Sequence, residues 1–230
     1  MSPAITFADV PHEPAPWWER LVEPVVFGVN LAVAALMYLP WRTTRVRWHP
    51  PLDGLVTQMA VTRRPFILYT WHAYELLTLC ATKTLPAAMR LTGIGHDGIK
   101  SRMLQRTMAW YGGRIWVYRR RSPVGPREQI VEMVRREGAH IVLVADAGGP
   151  YGRVKPGLAE LARDTAAFLV PFALRGRGVV WVSRPVRQGI PVPLARLDAV
   201  RGEPRDGTRA TLSECQRWLT EVDDQLFRAD

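Results

Sequence analysis

From about residue 60 onward, short apolar runs alternate with longer stretches of helical periodicity. "FILYTW" (66–71) is a continuous apolar run of strand type, and residues 73–82 behind it suit a helix. "MRLTGI" (89–94) predicts a second strand. Residues 99–111 predict a helix with Ile99, Met103 and Trp110 on roughly one side. "RIWVYR" (114–119) alternates and is β-branched and aromatic, which predicts a strand. Residues 126–137 suit a helix with Pro126 in its first turn and Ile130, Val131 and Val134 inward. "HIVLVA" (140–145) predicts a buried strand and 157–166 a helix. "FLVPFALR" (168–175) and "GVVWVSRPV" (178–186) predict two further strands. Residues 208–228 close the chain as an amphipathic helix, with Leu212, Cys215, Leu219, Val222 and Leu226 recurring every three or four. Alternating strands and helices predict one α/β layered domain over 43–230, a mixed central sheet flanked by helices.

The pattern changes before residue 43. Residues 1–16 are polar, acidic at Asp9 and Glu13, and carry four prolines, which does not fit a signal peptide. Residues 17–42 form an apolar helix bracketed by Trp17 and Trp18 before and Trp41 after. Its apolar run, Val25 to Leu39, is 15 residues long and broken by Asn30, short of the roughly 20 a spanning helix wants. Aromatic brackets and the following Arg42, Arg45 and Arg47 favour a helix dipping into or lying on an anionic bilayer. A buried cover helix and a true span are the alternatives. A span would leave the arginines and the domain on the cytoplasmic face.

Net charge sharpens the choice of partner. The chain of 230 residues carries +10, with an isoelectric point near 10.4, so it is drawn to something anionic. Hydrophobic residues make up 47%, which excludes a disordered or low-complexity chain. Its two cysteines, Cys80 and Cys215, are far apart, so neither a disulfide framework nor a metal cluster is expected. The basic residues are scattered, and no helix-turn-helix, zinc-finger or RNA-recognition signature appears, which argues against a nucleic-acid partner. G-x-S-x-G is also absent, which argues against a serine hydrolase.

Candidate chemistry follows the strands, where loops held by a rigid sheet carry function. His72 follows "FILYTW" and can take a proton near neutrality, with Glu75 three residues on able to orient it. Asp97, in His96-Asp97-Gly98, is a second acidic candidate, although Asp-Gly also serves as an ordinary turn. "RIWVYRRRS" ends in Arg119, Arg120 and Arg121, a set of guanidinium forks suited to phosphate unless it is simply a solvated run. "VLVADAGGPYGRVKPG" (142–157) runs from a strand into Asp146, Gly148, Gly149, Arg153 and Lys155 ahead of a helix. That order suits an anion, but it is neither a P-loop nor a dinucleotide fingerprint. Pro171 lies inside an apolar strand, which predicts an edge or a bulge.

Taken in order, these blocks resemble the four motifs of the glycerophospholipid acyltransferase superfamily, and most closely its bacterial lysophospholipid acyltransferase-like branch. "WHAYELL" stands for H-x-x-x-x-D, and "GRIWVYR" for G-x-x-F-I-D-R, with Gly113 and Arg119 at matching spacing. "ADAGGPYGRVKPG" stands for the Asp-Gly-Pro-rich block, and "LVPF" for the last. The likeness covers roughly residues 60–185. Two positions depart from it: Leu77 stands where the acidic partner of the histidine falls, and Ala147 separates Asp146 from the glycines.

The resemblance implies acyl transfer from acyl-CoA or an acyl carrier protein to a lysophospholipid-like hydroxyl or amine, with no metal or other cofactor. His72 would be the general base, with Glu75 or Asp97 as its carboxylate. Amides near Gly148 and Gly149 would serve the oxyanion. Arg119 and Arg120, with Arg153 or Lys155, would hold acceptor phosphate. It places the protein at the cytoplasmic face of the membrane. A catalytically inactive lipid-binding protein of the same fold is the alternative that Leu77 motivates.

Overall fold

A computed structural model describes residues 17–85, 89, 91–97, 113–119, 122–146, 152–182 and 187–228. The expected helix at 99–111 lies outside them.

Helix α1 (Trp17–Thr43) leads into β1 (Arg45–His49) and α2 (Asp53–Thr62). Strand β2 (Phe66–Thr70) passes through a 3₁₀ turn (His72–Tyr74) into α3 (Glu75–Thr82). Then come β3 (Leu91–His96), β4 (Arg114–Tyr118), α4 (Pro126–Glu137), β5 (His140–Val144) and α5 (Pro156–Asp164). The chain continues with β6 (Phe168–Val182), β7 (Gln188–Arg201), β8 (Arg205–Asp206) and α6 (Leu212–Arg228). The sheet order is β1-β7-β6-β2-β5-β3-β4, with β8 beside β6. β6, β2, β5, β3 and β4 run parallel, and β7 is antiparallel to β6. The sheet is therefore mixed and flanked by helices, as expected.

The centre is strongly apolar because both faces are covered. All five residues of β2 are buried, and Phe66, Ile67 and Tyr69 are wholly so. Helix α3 packs beside α1, while α5 packs against both α4 and α6. Helices on two faces are what right-handed crossovers running in opposite directions across a parallel sheet require.

Two expectations need correction. Residues 168–182 form one strand, not two, since β6 continues through the positive-φ Gly178 across a bulge between Arg177 and Val179. Pro171 is not at an edge: β6 lies between β2 and β7. Four steps from Arg201 to Arg205 face three from Phe172 to Leu169, so the bulge is in the partner chain. There the missing proline N–H interrupts no regular ladder, and the Pro171 carbonyl accepts from Gly202 N–H at 2.8 Å. Strands β1, β7 and β8 and helix α2 were not anticipated from the pattern.

Helix α1 is held at its C-terminal end. Lys83 Nζ donates to the carbonyls of Trp41, Arg42 and Thr44, capping the last turn from α3. Within its last 20 residues, Pro24–Thr43, an 18-residue window has a mean hydropathy of 1.6, and only 12% of that window is buried. The reading of α1 as a buried cover helix is thus set aside, because most of its apolar surface has no protein against it. By length and composition the helix can cross a bilayer.

His140 gives the core a pH dependence. Its Nδ1 accepts the Phe66 N–H at 3.1 Å, and burial holds the ring's pKa below the ordinary 6.5. The unfolded chain therefore binds the proton more readily, and the stabilisation is complete above about pH 6.5 and lost as pH falls toward the folded value. Urea midpoints are expected to drop as pH falls below about 6.5, and His140→Asn, which keeps an acceptor near the Nδ1 position, is expected to flatten the slope. An unchanged slope in that variant would assign the effect elsewhere.

Candidate active site

The site follows from strand order. The chain leaves β2 toward β3 in one direction across the sheet, and leaves β5 toward β6 in the other. β2 and β5 are adjacent and parallel, so the segments leaving their C-terminal ends part and open a crevice. The Ala145 N–H donates to the Thr70 carbonyl at 2.7 Å, carrying the pairing to the last residue before the crevice. One step further, the His72 N–H donates to Asp146 Oδ1 at 2.8 Å. Two sequence blocks 74 residues apart thus meet at the switch point.

The 3₁₀ turn sets the histidine ring. His72 Nδ1 lies 3.5 Å from Glu75 Oε2, at side-chain exposures of 23% and 39%. Gln188 Nε2, from β7, donates to the same carboxylate oxygen at 3.3 Å. With Nδ1 toward Glu75, Nε2 is the nitrogen left for a reacting group. Asp97 ends β3, two strands from β2, on the order of 10 Å away at ordinary strand spacing. Glu75, not Asp97, is the carboxylate beside His72. Leu77 is fully buried in the core, close to Gly189.

The turn is also fastened from behind. Tyr74 Oη and the Trp71 indole both donate to Asp223 on α6. Burial, before any other cause, pushes the Asp223 carboxyl above its usual range.

The other named positions separate. Asp146 was expected to touch substrate, but it is fully buried and its Oδ1 is spent on the His72 backbone, so it positions the turn. Gly113 opens β4 at the edge of the sheet opposite His72, some 15 Å or more from Arg119 at about 3.3 Å per residue, and takes no part in the crevice. Arg119 is at the correct edge, beyond β4. Arg153 is exposed, and Lys155 precedes α5, its N–H donating to the Ala145 carbonyl at 2.9 Å. Pro171 is level with Tyr69, beside the end of β2. Arg120, Gly148 and Gly149 lie outside the described residues.

Two glutamines missed in the sequence hold the edge loops. Buried Gln129 takes the Arg119 N–H on Oε1 and gives Nε2 to the carbonyls of Arg119 and Val124, at 2.7–2.9 Å. Gln216 on α6 takes the Val154 N–H and donates to the Gly152 carbonyl. Nothing in the local pattern marks them, because their partners are backbone groups of loops: five and ten residues before Gln129, and more than sixty before Gln216. Gln129→Ala strands three such groups, so a stability loss of about 2–4 kcal/mol is expected in urea unfolding. A loss below about 0.5 kcal/mol would contradict that role.

Among the described residues, no group of three or more His, Cys, Asp or Glu could hold a metal ion. A pocket of about 370 Å³ beside Pro51 and Arg201 lies apart from His72. No family model matches the chain, and no curated protein matches it in sequence.

Proposed function

We propose that the protein is an acyltransferase that moves a fatty acyl group from acyl-CoA or an acyl carrier protein to a lysophospholipid-like hydroxyl or amine. The observation that carries this reading is His72 at the switch point, its backbone held by Asp146 and its Nδ1 turned to Glu75. The motif resemblance supports the choice of reaction, since it runs through both blocks that meet there.

An acceptor hydroxyl becomes a competent nucleophile as it loses its proton. His72 Nε2 takes that proton while the oxygen attacks the thioester carbonyl, and the thiol departs when the tetrahedral intermediate collapses. Glu75 fixes the tautomer and steadies the imidazolium, as an orienting carboxylate does elsewhere. Arg119, with Lys155 and Arg153, supplies positive charge at the same edge for an acceptor phosphate. The donor thioester is the only co-substrate this chemistry needs.

The exposed apolar α1 and the arginines that follow it support work at the cytoplasmic face of an anionic membrane, peripheral or monotopic. Purified protein given a labelled acyl thioester and a panel of lysophospholipids tests the reading. Acceptance by none of them favours an inactive lipid-binding protein, the reading that Leu77 motivates.

A further inference from the structure

The paired strands β6 and β7 run well past the end of β2 and form an arm. One side of the arm lies against the site. Val179 packs on the core, Trp181 meets Tyr74 edge-to-face at 6.0 Å, and Gly189 sits close to Leu77 and Trp181. The opposite side faces outward. It is covered by α6 only as far as Arg175, whose guanidinium donates to the Leu226 carbonyl near the helix end.

Beyond that point three arginines line up across three strands. Arg45 on β1 pairs in register with Arg196 on β7, and Arg196 pairs in register with Arg177 on β6. Direct cross-strand partners share a face about 5 Å apart, where like charges repel. All three are exposed. Among the described residues, no ion pair joins any of them to a carboxylate. The nearest acid in register, Asp198, is one row away and bonds His49 Nε2 at 3.1 Å. The row costs stability as it stands, and an anionic partner would remove that cost.

The tip of the arm says which anion. Past the bulge, on the side opposite Val179 and Trp181, comes Val180, 54% exposed. Leu194, 75% exposed, bonds its N–H to Thr43 Oγ1 at the end of α1. Exposed apolar side chains within about 10 Å of a belt of arginines, with exposed Arg187 over the Trp181 ring beyond them, match the interface of a bilayer, where short apolar groups enter between headgroups and the arginines meet phosphates. An acidic protein would complement the arginines but leave Val180 and Leu194 uncovered.

We propose that the β6–β7 arm is a second membrane anchor, in which Arg45, Arg177 and Arg196 bind lipid phosphates while Val180 enters the bilayer interface. The inference deepens the membrane reading above and is independent of the catalytic one. It places the anchor on the element that also supplies Gln188 to Glu75 and Trp181 to Tyr74, so an acceptor held in the membrane surface is brought to His72.

Arg196→Glu separates anchor from fold, because the reversed charge sits between Arg45 and Arg177 and relieves their repulsion. The full chain is assayed for co-sedimentation with phosphatidylcholine vesicles, with and without phosphatidylglycerol. Arg196→Glu is expected to unfold no earlier than the native chain, yet to bind the anionic vesicles at least about tenfold more weakly. Arg177→Gln, removing one charge, is expected to weaken the same binding about fivefold. Val180→Asp is expected to weaken binding to both vesicle types. Anionic-vesicle binding by Arg196→Glu equal to the native chain's overturns the proposal. So does a native chain that binds acidic carrier protein through Arg196 but ignores phosphatidylglycerol. Acyl transfer is scored separately: a chain without turnover whose vesicle binding still falls with Arg196→Glu keeps the anchor and loses the catalytic reading.

Discussion

Replacing His72 with alanine is expected to lower acyl transfer by about 10²–10⁴-fold, the range a positioned general base contributes. Thermal unfolding and vesicle binding should stay near native values. The ring is only partly buried and the contact that fixes its backbone, N–H to Asp146, survives the substitution. A variant that unfolds early would give the imidazole a structural role. One that folds normally and transfers at the native rate would remove it from catalysis.

The second large effect concerns Asp146. Asp146→Ala leaves the His72 N–H without its acceptor at a part-buried position, and a loss of about 1–3 kcal/mol is expected in denaturant unfolding. Transfer should also fall by about tenfold or more, because the turn carrying His72 is released from the end of β5. Asp146→Asn keeps an oxygen at Oδ1 and should recover most of the stability. If the alanine variant matches the native chain in both readouts, Asp146 does not position the turn.

The parallel core was legible in the sequence because its strands are buried on both faces and read as unbroken apolar runs, as at "FILYTW" and "HIVLVA". Helix α4 was legible to the residue, since Pro126 opens it and Gly138, at φ +58°, closes it. β7 was not. Its inward alanines and leucine alternate with exposed Arg196 and Asp198 and are interrupted by Pro191 and Pro193, so no apolar run announces it. β6 looked like two strands, 168–175 and 178–186, because Gly176, Arg177 and Gly178 break its apolar run.

The site was legible as positions but not as roles. His72 and Glu75 are three apart, and a turn starting at the histidine brings them together by local geometry alone. Asp146 was picked out for its place after a strand. That its carboxylate turns inward to another strand's backbone depends on β2 and β5 being neighbours, which no local pattern encodes. Asp223 and Gln216 belong to the same class, polar residues on helices whose partners are remote, whereas Gln129 binds the loop just before its own helix. Gly113 misled because a match in spacing ignores strand direction: the two ends of one motif, Gly113 and Arg119, fall at opposite edges of the sheet.

The central claim is that His72 drives acyl transfer from a thioester, and its most direct test measures the product. Native protein and His72→Ala are each given labelled acyl-CoA or acyl carrier protein, with and without a lysophospholipid panel, and label is counted in phospholipid. The account predicts label in phospholipid with the native chain, dependent on acceptor, and background counts with His72→Ala. Equal transfer by both proteins, or no transfer by the native chain to any acceptor, would contradict it.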